Sequence, residues 1–479
     1  MSRPSSNRRF SFARCAVALN AARRRRWVLA SCALAVVACK TDPEPPHPTS
    51  APSPSVPSVA PSVSASAAAT AANAPAPEAA HPPRNVLLLT IDSLRADMPW
   101  AGYPRAIAPN LTKLAEQSVV YNNAYALSSY TAKSVAGFLT SRYPSTLYRT
   151  GYFFAKYPKA DLFLAEVLKA HGVRTTAWHG HKYFDTAGFE QGFDTWQLVP
   201  GLDFNPETDE AITSQAMTEL GMKLLRKPDN TGKQFFAWAH YMDPHDQYNK
   251  HPEASPEFGN KNRDRYDNEV YYTDLWLGKL LTFAREQQWW KDTVLIISAD
   301  HGEAFGEHGF YKHAFEIWDV LTHVPLMISG PGITPRRIDE RRSHLDLAPT
   351  ILDVMGFPPE HEFMGKSLLP ELQGAAVENR EPILSELTED SHNPLRRSFI
   401  LGDYKLMVFD GRKFQLYNLR KDPGELTDLA DTEGAKLAEI KQAYNKLYET
   451  LPVVEPYGGA TLKGGGSSRG PSGPPAAGK

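Results

Sequence analysis

Seven consecutive residues, Asn85 to Ile91 (NVLLLTI), separate a stretch that cannot fold on its own from one that can. From Lys40 to Arg84 the chain is almost entirely Pro, Ala, Ser, Thr and Val, without an aromatic residue or apolar periodicity, so it has nothing with which to build a core. It reads as a flexible tether. The run that follows is apolar without alternation, the pattern of a strand buried on both faces, and it ends in an acid, Asp92. The folded part therefore starts at residue 85.

Beyond it, helical periodicity at Asn110 to Gln117, Phe163 to His171, Asp209 to Leu225 and Tyr266 to Gln287 alternates with short apolar runs at Phe235 to His240, Thr293 to Ala299 and Val324 to Ser329. Such alternation predicts an α/β fold, a mainly parallel central sheet flanked by helices. Sites in such sheets lie at the carboxyl ends of strands. Asp92, the stretch His240 to His245, and the pair Asp300-His301 each follow a predicted strand. A catalytic domain over 85–381 is expected, then a small antiparallel subdomain over 382–456. Its short strands are Arg397 to Leu401, Lys405 to Phe409 and Gln415 to Asn418, with a helix from Glu433 to Glu449. A Gly-, Ser- and Pro-rich tail, 457–479, is expected to be disordered.

The amino terminus points out of the cytoplasm. All three cysteines, Cys15, Cys32 and Cys39, lie within the first forty residues. Arg23 to Arg26 precede an apolar run from Trp27 to Ala38, the layout of a secretory signal and too short to span a bilayer comfortably. The run ends in VVAC, similar to a bacterial lipobox, so 1–39 is read as a signal with Cys39 as lipid anchor in the bacterial envelope. The alternative is an ordinary signal peptide ending near a cysteine. Arg8-Arg9 is a faint sign of twin-arginine export. A net charge of -2 with dispersed basic residues provides no stripe to neutralise a nucleic-acid backbone, so nucleic acid is not expected as a partner.

Two acids and a histidine at strand ends are hard oxygen and borderline nitrogen donors suited to one divalent ion, with calcium, magnesium, manganese and zinc all compatible. Here a resemblance becomes specific. The segment "NVLLLTIDSLRADMPWAGY" from Asn85, then "APNLTKLAEQSVVYNNAYA", "GFDTW" at Gly192, "HYMDPHDQY" at His240, "SADHGEAFGEHG" at Ser298, "HVPLMISGPG" at His323, "DLAPTILDVMG" at Asp346 and "QLYNLRKDPGELTDL" at Gln415 together resemble the sulfatase family of the alkaline phosphatase superfamily. The resemblance covers nearly everything from Asn85 to about Ala430. It implies a metal held by Asp92, Asp300, His301 and the nucleophile itself. Many sulfatases have two adjacent acids at the first position, where this chain has Ile91-Asp92.

The nucleophile block departs from the family. Sulfatases oxidise a Cys or Ser in C/S-x-P-x-R to formylglycine, whereas "TAKSVAGFLTS" puts Thr131 there, with Lys133 in place of proline and Val135 in place of arginine. Threonine is not a known substrate for that oxidation. A threonine nucleophile resembles lipoteichoic acid synthases and phosphoethanolamine transferases, which act on phosphodiesters, and Thr131 is expected to coordinate the metal and attack phosphorus. The bland alternative makes Thr131 a helix cap. By resemblance His245, Lys312 and His313 hold the substrate's oxygens and protonate the leaving group. His308 stands between a site role and a turn contact, while His240, Arg95, Asp97 and Asp274 are expected to be structural. The expected activity is hydrolysis or transfer of a phosphate ester, the substrate being an anionic ester such as an envelope glycan or lipid. A true sulfatase and an inactive envelope- or glycan-binding member are the alternatives.

Overall fold

The computed structural model describes residues 84–202, 213–251 and 256–458. The leader, Cys39 and nearly all of the predicted tether lie outside them. The main sheet is built from β1 (Asn85–Ile91), β2 (Val119–Tyr125), β3 (Arg174–His179), β4 (Thr195–Leu198), β5 (Phe235–Tyr241) and β6 (Thr293–Ala299). A small hairpin, β7 (Ala304–Phe305) and β8 (Tyr311–Lys312), follows. The sheet is completed by β9 (His323–Ser329), β10 (Arg336–Ile338) and β11 (Arg342–Ser343), in the order β10-β2-β9-β6-β1-β5-β3-β4 with β11 also on β2.

The fold is the α/β architecture the alternation predicted, with one exception in direction. β1, β3, β4, β5 and β6 pair in parallel, but β9 runs antiparallel to both β6 and β2. β6 and β9 are sequence neighbours joined only by the hairpin and a four-residue helix, with no long crossover helix to return the chain to the starting edge. β2 and β3 went unpredicted because their sequences, VVYNNAY and RTTAWH, carry polar residues that break the apolar run.

Both faces of the sheet are covered. Along β1, Val86 and Leu88 enter one core with Phe236, Trp238, Val294 and Ile296, while Leu87, Leu89 and Ile91 enter another with Ala237, Ala239, Leu295 and Ile297. At about 25 cal/mol per Å² of apolar surface, this double burial is what the unbroken run contributes. Toward the carboxyl edge the first face turns polar. There β1 presents Thr90 and then Asp92, and β5 presents His240, all buried. The motif GFDTW has a steric cause, since Gly192 has φ +81° and a Cβ there would lie 2.1 Å from the backbone nitrogen of Glu166 in the helix Leu164–Ala170.

A second, antiparallel sheet follows: β12 (Ile383–Leu387), β13 (Arg396–Leu401), β14 (Tyr404–Phe409) and β15 (Lys413–Asn418). Ile440 and Tyr444 of the helix Gly434–Tyr448 pack on Leu384, Phe399, Leu406 and Leu416. β12 also meets the main domain, where Glu386 N donates to Leu127 O at 2.8 Å. Tyr457 corrects the expectation of a tail from that position. Its N donates to Arg149 O, its O accepts from Gly151 N, both at 3.0 Å, and Val454 N donates to Ser145 O at 2.9 Å. Sequence composition could not reveal this, because the partners lie some three hundred residues earlier.

The stretch after Arg149 is a loop closed at its neck by Asp161, whose Oδ1 accepts from Tyr148 N at 3.1 Å. Burial pushes the Asp161 carboxyl up to about 7. Its folded value lies above the unfolded one, so the native state favours the protonated acid and loses stability as pH rises from about 4 to 7. Asp161→Asn is accordingly expected to be neutral at pH 4 and to stabilise the fold by about 2–4 kcal/mol at pH 8. Chemical denaturation at the two pH values measures this, and a variant destabilised at pH 8 contradicts it.

Candidate active site

Five loops and helix starts converge at the carboxyl edge of β1, β3, β5 and β6. Asp92 follows β1 and is fully buried. Its Oδ2 lies 3.1 Å from His240 Nε2 and its Oδ1 accepts from Ser93 Oγ at 3.0 Å. Asp300, after β6, accepts from Ser93 N at 3.3 Å through Oδ1. Its Oδ2 is buried with no hydrogen-bond partner. Burial, and then the charge of Asp92, push the Asp300 carboxyl up to about 7. Burial acts the same way on Asp92, but His245, His240 and His301 together outweigh it and hold that carboxyl well below the usual range.

Asp92, His240 and Asp300 offer one ligand atom each, all within 4.8 Å of one another. His240 was expected to be structural, inside a strand; the register brings it beside Asp92, where it could serve as a ligand. Thr90 Oγ donates to Ala239 O at 3.2 Å and accepts from Trp238 Nε1 at 3.0 Å, so the 2.8 Å contact with His240 Nδ1 is one in which the ring nitrogen donates. Nε2 of the same ring lies 3.1 Å from Asp92 Oδ2, so the imidazole and the carboxylate meet at one position. Together with the orphaned Asp300 Oδ2, this donor set fits a divalent ion.

Thr131 is the first residue of the fully buried helix Thr131–Thr140, and the cap position belongs to Tyr130. Thr131 is therefore not a helix cap. Its Oγ lies 3.0 Å from His301 Nε2 and 3.4 Å from Asp92 Oδ2. His301 Nδ1 contacts Gly302 O at 3.0 Å, which puts the ring hydrogen on Nδ1, and burial holds the imidazole below its usual value and so neutral. Its Nε2 thus accepts from the threonine hydroxyl. His301 Nε2 also stands 3.4 Å from Asp300 Oδ2, so the expected set Asp92, Thr131, Asp300 and His301 is brought together.

The remaining expected residues line the same edge. The His313 ring is centred 4.3 Å from that of His301 and 4.8 Å from that of His245, with its Nδ1 3.2 Å from both Glu303 carboxyl oxygens. Burial pushes Glu303 up to about 8 and His313 well below the histidine range. At neutral pH the acid keeps its proton and donates to Nδ1, which leaves the ring N–H of His313 on Nε2. Lys312 is half exposed on β8 and pairs with Asp246 at 2.5 Å, tying the hairpin to the loop that carries His245.

His308 lies flat on Trp318, rings 3.7 Å apart, which is a turn contact. Asp274 caps the helix Pro109–Ala115 by accepting from Asn110 N and Leu111 N, and Arg95 is bound to Asp97, Glu307 and the Glu303 carbonyl. His181, just past β3, went unnoticed in the sequence. It is held down to about 3 by burial, and it interacts electrostatically with Asp92, His245 and His240. The strand end at His179 was its only signal. Lys133, two residues into the helix from Thr131, is buried and paired with buried Asp390 from the loop after β12. Burial lowers the ammonium, and Asp390 offsets only part of this.

The fold, a mostly parallel sheet with acids and histidines at one edge, has close counterparts among solved structures. A protein in the alkaline phosphatase superfamily from Vibrio parahaemolyticus superposes with TM-score 0.58 at 19% identity, over 78% of this chain and 90% of that one. The chain belongs to the sulfatase family, whose model matches residues 84–357, and is a sulfatase-like hydrolase. A second model, the C-terminal region of N-sulphoglucosamine sulphohydrolase, matches 306–451. Choline-sulfatase of Rhizobium meliloti is 25% identical over 72% of this chain and 82% of its own length. An ulvan-active sulfatase of Formosa agariphila is 28% identical over 53% and 57%. The phosphonate monoester hydrolase of Agrobacterium radiobacter superposes with TM-score 0.62 at 20% identity, over 76% of this chain and 95% of that one. Members of the family are metal-dependent.

Proposed function

We propose that the protein hydrolyses or transfers a phosphate ester with Thr131 as covalent nucleophile. The observation that carries this reading is the Thr131 hydroxyl, in contact with His301 and Asp92 at the start of a buried helix. A secondary alcohol cannot become the aldehyde that a formylglycine sulfatase needs, because its carbon bears a methyl group. It can still attack phosphorus.

Asp92, Asp300 and His240 would hold the divalent ion, with His301 beside them. Such an ion supplies positive charge that polarises the oxygens of the transferred group. The helix amino terminus at Thr131 adds its own positive end. The Thr131 hydroxyl gives its proton to His301 Nε2 or Asp92 Oδ2 as Oγ bonds to phosphorus, and the bond from phosphorus to the leaving oxygen breaks. His313 Nε2 gives its proton to that oxygen as Glu303 passes its own to Nδ1, with His245 alongside. Water or an acceptor hydroxyl then attacks phosphorus and gives its proton to His313, which returns one to Glu303, while Thr131 leaves as the alcohol with the proton that His301 or Asp92 had taken.

A true sulfatase is the second reading, and the sulfatase names of the relatives favour it. Side-by-side turnover of bis(p-nitrophenyl) phosphate and p-nitrophenyl sulfate by the metal-loaded protein separates the two. Sulfate turnover with an inert phosphodiester ends the first reading. We also propose, from the apolar run and its VVAC ending, that a lipid on Cys39 tethers the enzyme to the envelope outside the cytoplasm. Among the described residues no helix is long and apolar enough to cross a membrane.

The metal makes a separate prediction. Chelator-treated protein titrated with calcium, magnesium, manganese or zinc is expected to gain about 3 kcal/mol of stability at a hundredfold excess over the dissociation constant of the ion that fits. Protons compete at Asp300, so the gain grows as pH rises toward 7. Asp300→Asn is expected to remove the response. Unfolding midpoints indifferent to all four ions contradict the assignment.

A further inference from the structure

The stretch from Met242 to His251 carries His245 to the site, and it is pinned at both ends. At the near end Asp243 accepts from Thr213 N, Thr213 Oγ and Ser214 N. At the far end the helix Asn262–Arg285 supplies Glu269, a carboxyl with its side chain only 1% exposed. Its Oε1 accepts from Asn249 N and its Oε2 stands 2.7 Å from His251 Nε2. His251 N donates to Asn268 Oδ1 at 2.6 Å, and the His251 ring lies flat on that of Tyr272 with centres 3.9 Å apart. Burying a carboxylate costs several kcal/mol unless hydrogen bonds offset it. Both Glu269 oxygens are turned on the loop, so that cost is offset only while residues 249 and 251 stay in place.

The residues between the pins touch the groups that protonate the leaving oxygen. Tyr248 comes immediately before Asn249. Its ring packs against those of Tyr266 and Phe305, at 5.9 and 5.4 Å, and its hydroxyl is hydrogen-bonded to Glu303, the acid that faces His313 Nδ1. Asp246 pairs with Lys312, the neighbour of His313, and the His245 ring is centred 4.8 Å from that of His313. A shift of the loop at Asn249 therefore moves Tyr248 off Glu303 and His245 off His313 together. Asp92, Asp300 and Thr131 are carried by other elements, β1, β6 and the helix Thr131–Thr140.

We propose that Glu269 is a positioning residue for the leaving-group side of the site. By fixing Asn249 and His251 it sets Tyr248 on Glu303 and His245 beside His313, so that the departing oxygen receives the His313 Nε2 proton as its bond to phosphorus breaks. This rests on the reading of the Thr131 site as an ester-cleaving centre. The attack by Thr131 and the binding of the metal do not depend on it.

Leaving-group dependence separates such a role from a structural one, because p-nitrophenolate departs readily without a proton and phenolate does not. The measurement is turnover of bis(p-nitrophenyl) phosphate and of diphenyl phosphate by the metal-loaded protein. Glu269→Ala is expected to lower kcat about 100-fold for diphenyl phosphate and less than about fivefold for bis(p-nitrophenyl) phosphate, since a misplaced proton donor slows only the reaction that uses it. Tyr248→Phe removes only the hydroxyl that meets Glu303, so it reads the same path where the alanine variant fails to fold, and about a tenfold loss confined to diphenyl phosphate is expected. The stability gained on adding the metal should be unchanged in both variants. Equal losses on the two esters in Glu269→Ala overturn the proposal, and so does a Tyr248→Phe variant that matches the wild type on both. A wild type inert toward both esters removes the ester-cleaving reading and the proposal with it, whereas wild-type turnover with no leaving-group selectivity in the variants removes the proposal alone.

Discussion

Thr131→Ala is expected to lower phosphodiester turnover by roughly 10³–10⁶-fold while leaving the fold and the metal response intact. The substitution removes the hydroxyl and the γ-methyl, and the hydroxyl's partners, His301 Nε2 and Asp92 Oδ2, keep their other contacts. Thr131→Ser keeps the hydroxyl and should retain much of the rate. A covalent intermediate also leaves a trace: acid quenching of the wild type during turnover should add the mass of one phosphoryl group to the peptide that contains Thr131. Full activity in the alanine variant, or a label on another peptide, removes Thr131 from the mechanism.

The second large effect is on stability. Lys133 and Asp390 have side chains only 1% and 2% exposed, and the lysine sits in the first turn of the Thr131 helix, where the helix dipole disfavours a cation. Asp390→Ala leaves that ammonium buried without its counter-ion, at a cost of about 3–5 kcal/mol. Replacing both residues together, Lys133→Met with Asp390→Leu, should recover most of the loss. Burial alone would raise the Asp390 carboxyl, but Lys133 outweighs it and holds the folded value below the usual one. The pair's contribution is therefore present at neutral pH and lost as pH falls through that depressed folded value. Guanidinium denaturation of the single and double variants measures the cycle, and an Asp390→Ala midpoint equal to wild type refutes it.

The strands β1, β5 and β6 were legible because burial on both faces writes an unbroken apolar run, and strand-end geometry made Asp92, Asp300 and His301 readable as one cluster. His240 was not. Its role depends on the pairing of Thr90 with His240 between β1 and β5, a register relation that no local pattern encodes. The Lys133–Asp390 pair was hidden for the same reason, since its members lie far apart in sequence and meet only through the fold. The antiparallel course of β9 was hidden too, because direction is set by the connection and not by the composition of the strand.

The hydrogen bonds from Val454 and Tyr457 back to Ser145, Arg149 and Gly151 order events during synthesis. Arg149 and Val454 are 305 residues apart, so the loop that presents Phe153 stays unfastened until almost the whole described chain has been made. The loop after Arg149 is therefore among the last parts of the described fold to be secured.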